Sequence, residues 1–267
     1  MGRPIVLVKL GGSLVTEKAR EGTARTPVIR RLAAEIAGSL DGAKGPRLVL
    51  GHGSGSFGHA AASRAGLTRG RIARKRTEGI AHVQRRAADL NRLIVAALEE
   101  AGARPFTLAP SSFLTTTGGK VAEVFTDPLF LALELGLLPV VYGDVVMDRT
   151  HGAAIVSTEE LFVAISQEAA RRRIRVARAI WLGETDGLTD ARGRTVALLS
   201  ARGAARAARS ASGASGVDVT GGIALRLATV ARLARAGIPS HLVDGRPRGA
   251  AAAAIAGRLP RGTWVES

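Results

Sequence analysis

The chain has 267 residues, 46% of them apolar, which allows one large α/β domain or two small ones and excludes a disordered polymer. Cysteine is absent, so there is no disulfide framework and no thiolate metal site, in keeping with a cytoplasmic home. No apolar run reaches the ~18–20 residues of a membrane span, so no membrane partner is expected.

The net charge is +16, from 38 basic and 22 acidic residues. Nucleic acid is one partner such a charge suggests. An arginine-rich composition, or attraction of a polyanionic substrate, is the other reading. The basic residues are spread along the chain, with short runs at 71–76 and 171–175. No aromatics are interleaved with them as a stacking platform, so no nucleic-acid partner is expected.

In chain order, residues 4–10 (PIVLVKL) read as a buried strand that stops at Gly11-Gly12. Thr26 and Pro27 open a helix as N-cap and first helical residue, with Ile29, Leu32, Ile36 and Leu40 on its apolar face. Residues 47–51 form a second strand that enters the glycine loop GHGSGSFGH. A long amphipathic helix follows from Thr77 to Ala101, stopped by Gly102. Its inward residues Ile80, Val83 and Leu90 are expected to wall a ligand pocket. Residues 104–109 are strand-like, 126–136 helical and 138–142 a strand.

Val145–Met147 and Ala153–Val156 can pair as a hairpin. Residues 158–172 form a helix and 174–182 a strand that ends in the acidic turn GETDG. The small, polar stretch 201–217 reads as a mobile loop. A helix from Gly222 to Ala236, a strand at 240–243, a helix at 249–257 and a strand at 262–265 complete the chain. The alternation predicts an α/β fold whose central, mostly parallel open sheet is covered by helices on both faces. The loops at Gly11, His52, Gly143 and Glu184 then lie along the carboxyl edge of that sheet, where ligands bind.

Three glycine-rich loops suit phosphate. Glycines at 11 and 12 let the backbone approach a phosphate closely, and Lys9 adds a positive charge. In the second loop, Gly53, Gly55 and Gly58 match G-x-G-x-x-G. Roughly twenty residues on, however, a dinucleotide site needs a second strand ending in Asp or Glu. This chain has the start of a long helix there. A terminal phosphate fits better, held by loop amides, Ser54 and His59. Thr220-Gly221-Gly222 opens a helix whose amides and dipole favour an anion, with Arg226 one turn inside. Asp186, in the acidic turn, suits a ribose hydroxyl or Mg²⁺. The histidines lack the spacing of a metal site.

Taken together and in this order, KLGGSLVTEK, GHGSGSFGH, PSSF, PVVYGDVVMD, DVTGG and GTWVE resemble the amino acid kinase superfamily, and within it the isopentenyl phosphate kinases. Fosfomycin kinases share the pattern. The resemblance implies a three-layer αβα sandwich forming one domain over residues 1–267. Residues 1–170 would be the phosphate-acceptor lobe and 171–267 the nucleotide lobe. It also implies ATP and Mg²⁺ as cofactors, a small phosphate substrate, and a homodimer.

Carried over by position, Lys9, Gly11, Gly12, Ser13, Ser54, Glu184, Asp186, Gly187, Gly221, Gly222 and Arg226 would bind ATP. Gly53, Ser54, Gly55, His59, Gly143 and Asp144 would hold the acceptor. Lys9, Lys18, His59 and Arg226 would be catalytic. Departures from the family pattern lie at Ser54 (usually glycine), Glu159 (aspartate), Glu184 in the acidic turn, and Arg226 (lysine). A phosphonate kinase and a non-catalytic ligand-binding protein on the same fold are the alternatives these departures leave.

Overall fold

A computed structural model describes residues 3–40, 45–64, 77–213, 222–258 and 260–266. Its strands are β1 (Ile5–Leu10), β2 (Arg47–His52), β3 (Pro105–Thr107), β4 (Leu114–Thr117), β5 (Lys120–Val124), β6 (Leu138–Tyr142), β7 (Asp144–Asp148), β8 (Gly152–Val156), β9 (Val176–Gly183), β10 (Leu198–Ser200), β11 (Ser240–Asp244) and β12 (Gly262–Glu266). Its helices are α1 (Gly12–Val15), α2 (Thr26–Leu40), α3 (Gly55–Arg64), α4 (Thr77–Glu100), α5 (Pro110–Phe113), α6 (Asp127–Glu134), α7 (Thr158–Arg171), α8 (Ala201–Gly213), α9 (Gly222–Arg235) and α10 (Ala250–Ile255).

The main sheet runs β10-β12-β11-β9-β1-β2-β6-β3, with β12 antiparallel to β11 and β11, β9, β1, β2, β6 and β3 mutually parallel. Both of its faces are covered, which is why β1 is apolar at nearly every position instead of alternating. Val6, Val8 and Leu10 pack with Leu32 and Ile36 of α2, Leu90 and Ile94 of α4, and Ile255 of α10. Ile5 and Leu7 face the other way, into the cluster of Phe162 (α7), Leu227 and Val230 (α9) and Trp181. This is the expected αβα layering.

A second, four-stranded sheet, β5-β4-β7-β8, includes the predicted hairpin as β7 and β8. Its two turns are clipped together by Asp148, whose carboxylate accepts the amides of Gly119 (2.7 Å), Thr150 (2.9 Å) and His151 (2.7 Å). The β4–β5 pair, from LTTT and KVAEV around Gly118-Gly119, went unread in the sequence.

Two expectations are corrected. Of the expected loop 201–217, residues 201–213 form a helix, and 214–217 lie outside the described residues. Ala201, Ala204 and Ala208 are buried on one side of α8, which packs against α9. Alanine is the best helix former, and here the small side chains let two helices approach closely. Leu90 belongs to the core shared with α2 and does not wall a pocket. Ile80 and Val83 instead join a small apolar cluster with Ala61 (α3), Val145 (β7) and Ala153 (β8).

Candidate active site

The register of the parallel strands aligns four chain ends. Leu10 pairs with His52 on one side and Leu182 on the other, and His52 pairs with Tyr142. The residues that follow are Gly11, Gly53, Gly143 and Gly183, so one row of glycines crosses four adjacent strands. None of these four residues carries a Cβ. Gly11, Gly53 and Gly143 spend their amides on the sheet, donating to Leu182 O (2.8 Å), Leu10 O (3.0 Å) and His52 O (3.1 Å). Their part in a binding site is therefore to leave room. Among the described residues, Gly12, Ser13 and Ser54 make no such amide bond to the sheet; Gly12 and Ser13 begin α1 and Ser54 precedes α3. Free N–H groups at helix starts are where an anion is held.

The two glycine turns are built against each other. A Cβ on Gly12 would lie 2.7 Å from the Gly55 backbone. Gly55 has a positive φ of 49° and closes on Gly12 O and the Thr16 side chain. Thr16 Oγ1 bonds both turns, donating to Gly12 O (2.7 Å) and accepting from the Ser56 amide (3.0 Å). Ser54 sits at the cap position of α3, and a Cβ on Gly58 would meet Ser54 Cβ at 2.5 Å. The serine fills the space that the glycine leaves open.

Two strand positions below the glycine row, Lys9 is buried and forms an ion pair with Glu159 in the first turn of α7. Gly51 makes this contact possible. Any side chain there would strike Phe162 Cε1 at 2.8 Å, so α7 lies directly on β2. Thr158 Oγ1 donates to His52 O (2.6 Å), and a capping box between Ser157 and Glu160 fixes the helix start. Burial alone would raise the Glu159 pKa, but the charges of Lys9 and then Arg226 hold it below the ordinary carboxylate range. Arg226 brings Nη1 to 3.4 Å from the Cβ position of Gly183, at the end of the row, and its buried Nε has no hydrogen-bond partner among the described residues. Glu159 thus ties together two cations from β1 and α9.

At the other end of the row, Asp144 is buried and accepts the amides of Val145 (2.8 Å) and Ser111 (3.3 Å). Burial outweighs those donors and pushes its pKa up to about 6. His52 stacks on Tyr142 with centroids 5.5 Å apart. Its Nδ1 lies 3.1 Å from Gly53 O and its Nε2 3.2 Å from the Asn91 amide group. Burial lowers its pKa to about 4, so the ring is neutral at pH 7 and has one N–H. The ring's one N–H donates either to Gly53 O or to Asn91 Oδ1, and Asn91 Nδ2 donates to Thr107 Oγ1 (3.1 Å). His52 and Asn91 therefore brace the second glycine loop from below.

The acidic turn is held by arginines. Glu184 pairs with Arg25 (3.0 Å) and Asp186 with Arg261 (2.6 Å). Gly187, with φ 110°, lies against Thr263, whose Oγ1 accepts the Leu188 amide (2.8 Å). Gly222 starts α9. Lys18 is exposed on the loop 17–23, beside the first turn of α3. Residue 59 falls one turn into α3, but the His59 side chain and the whole of Gly221 lie outside the described residues. Thr16, Gly51 and His52 went unassigned in the sequence reading. A glycine after each of four apolar runs was the visible signal for the row.

Among the described residues, no three His, Asp or Glu side chains gather as a metal site, and no helix is long and apolar enough to cross a membrane.

The model of the amino acid kinase family matches residues 4–244. The chain is 30% identical over 276 aligned residues to the isopentenyl phosphate kinase of Methanothermobacter thermautotrophicus, covering 98% of each protein. It is 31% identical to that of Haloferax volcanii, covering 96% of each. A crystal structure of isopentenyl phosphate kinase superposes with a TM-score of 0.79 at 25% identity, over 98% of this chain and 99% of the other. An N-acetylglutamate synthase from Neisseria gonorrhoeae shares the fold at 16% identity, with a TM-score of 0.71. The family model, the curated relatives and the fold agree, and this chain belongs to the amino acid kinase family.

Proposed function

We propose that the protein transfers the γ-phosphoryl group of Mg-ATP to a small phosphomonoester, with isopentenyl phosphate, the substrate named for its relatives, as acceptor. The observation that carries this reading is the glycine row. It has the Lys9–Glu159–Arg226 group toward one end and the start of α3 toward the other. An oxygen of the acceptor phosphate attacks the γ-phosphorus, the bond from that phosphorus to the β,γ-bridging oxygen breaks, and ADP leaves. The second pKa of such a phosphate is about 6, so its attacking oxygen is already ionised at neutral pH and needs no base.

What the protein must supply is alignment and positive charge. Lys9 and Arg226, reaching the nucleotide phosphates, would offset charge on the β- and γ-oxygens. Lys18 would bridge donor and acceptor. The amides of Gly12, Ser13 and Ser54 would hold phosphate oxygens, with His59 of α3 donating to the acceptor. ATP would lie toward residues 171–267, against the acidic turn and α9, and the acceptor toward Asp144. Its apolar tail would run toward Ile80 and Val83.

A coupled ADP-release assay over isoprenoid monophosphates and fosfomycin tests the proposal. Turnover with isopentenyl phosphate is expected, and His59→Ala should lower it by about 10²–10³-fold, as loss of one such donor does. Binding by calorimetry without turnover on any acceptor would refute it in favour of a non-catalytic ligand-binding protein. We further propose a cytoplasmic homodimer. Leu93, Phe106, Leu131 and Leu135 are exposed on α4, on the edge strand β3 and on or just after α6. Light scattering that gives a monomer mass would refute the dimer.

A further inference from the structure

The loop 17–23, which carries Lys18, is closed at its neck. The Glu17 amide donates to Thr23 O (3.0 Å), the Arg25 amide donates to Val15 O (2.8 Å), and Thr16 bridges to Ala24. The far side of the loop leans on α3, where the Gly22 amide donates to Ser56 O at a long 3.4 Å. A third element reaches the same place. Arg86 of α4 lays its guanidinium over the ring of Phe57 in α3, 4.8 Å from the centroid, and donates to Asp89 Oδ2 (2.9 Å). Its other edge lies against Gly22, whose Cβ position would be 3.4 Å from Arg86 Cζ and in collision with Nη2. Gly22 also has a positive φ of 62°. Conformation and space both require glycine there, and the space is filled by the arginine.

We propose that Arg86 is a positioning residue for the phosphoryl transfer. Stacked on Phe57, aimed by Asp89 and laid against Gly22, it fixes the loop that places Lys18 over the junction of the two glycine turns. The inference rests on the reading of Lys18 as a phosphate contact. Lys18 is exposed and sits on a long flexible stem, so its ammonium is only as well placed as the backbone beneath it. Arg86 is suited to the task because a planar cation can stack on a ring and hydrogen-bond along its edge at once. A lysine at 86 keeps the charge and loses that geometry.

The test compares the wild type with Arg86→Met, Lys18→Met and the double variant, in the full-length protein with Mg-ATP and isopentenyl phosphate. Methionine keeps most of the stem that covers Phe57. Lys18→Met should lower kcat by about 10²-fold. Arg86→Met should lower it by about 10-fold or more, since small misplacements are costly. In the Lys18→Met background, Arg86→Met should add less than about 2-fold, because the arginine acts through the lysine. Gly22→Ala should reproduce the Arg86→Met loss.

Equal losses in both backgrounds would overturn the proposal, and so would an active Lys18→Met enzyme. Hydrogen exchange across residues 17–23 is the readout independent of turnover. It should speed up in Arg86→Met without a comparable change in α2, and unchanged exchange would overturn the clamp. A wild type inert on every phosphate acceptor would instead sink the functional reading, while the exchange comparison would still decide whether Arg86 orders the loop.

Discussion

Replacing Glu159 with glutamine removes the counter-charge of a buried lysine and leaves shape almost unchanged. Lys9 and Glu159 are each 5% exposed, so solvent screens their pairing little. Deleting one partner of a buried pair typically costs about 3–5 kcal/mol, because the other charge is left in a poor solvent. In a protein of this size each kcal/mol shifts Tm by roughly 2–4 °C, so Glu159→Gln should melt roughly 6–20 °C below the wild type. Lys9→Met in the same chain removes the stranded charge and should restore part of the loss.

The carboxyl of Glu159 is held below its ordinary range, so its contribution is complete above the unfolded pKa of about 4.3 and is lost as pH falls further. The gap between wild type and variant should therefore close in acid. Mg-ATP should raise the variant's Tm more than the wild type's, because bound phosphate supplies the missing negative charge. Scanning calorimetry at pH 7.5 and pH 3, with and without nucleotide, reads all three effects. A variant within about 2 °C of the wild type at pH 7.5 would show that Lys9 is not a desolvated cation and would refute the reasoning.

Two further outcomes follow from buried carboxylates of opposite behaviour. Asp144 is raised to about 6 from 3.8, so the native state holds its proton more tightly than the unfolded chain. Its contribution is fully present below about pH 4 and is lost as pH rises through 6. Urea unfolding should then show the stability of wild type relative to Asp144→Asn falling by about 2–3 kcal/mol from pH 4 to pH 7.5, and a flat difference would contradict it. Asp148 is the reverse case. Burial would raise its pKa, yet its donors hold it well below the carboxylate range. Asp148→Ala should strand the amides of Gly119, Thr150 and His151, cost at least about 3 kcal/mol at neutral pH, and speed amide exchange in β4, β5, β7 and β8.

Much of the fold was legible because buried parallel strands are written as unbroken apolar runs. PIVLVKL and LVL each run directly into a glycine and LLPVV into Tyr142-Gly143, and the strands they mark became neighbours in register. The stretch 201–213 misled because its apolar stripe is made of alanine, which looks like low complexity. Each buried alanine methyl contributes only about 0.8 kcal/mol, so the helix depends on propensity and on close packing with α9. The contacts between distant segments were not legible from local pattern. Lys9 and Glu159 are 150 residues apart, and Arg25 and Glu184 are 159 apart. Only resemblance to a family pointed to Glu159, and nothing pointed to Arg86 against Gly22. Steric fit of that kind leaves no periodicity to read.

The departures from the family pattern take on physical meaning in this arrangement. Glutamate at 159 reaches about one methylene further than aspartate, and here it closes directly on Lys9 while sitting within the field of Arg226. Arginine at 226 offers a wide fork at Gly183 in place of a point charge. Glutamate at 184 is taken up by Arg25, and serine at 54 fills the space above Gly58. Lys9 and Arg226 converge on one end of the glycine row, and two such cations repel in an empty site. Glu159 pairs with Lys9 and lies within the field of Arg226, so its negative charge offsets that repulsion. On the proposed reading, the negatively charged phosphates of ATP would meet both cations already in place. The work of gathering positive charge is then done by the fold, before the chemical step draws on it.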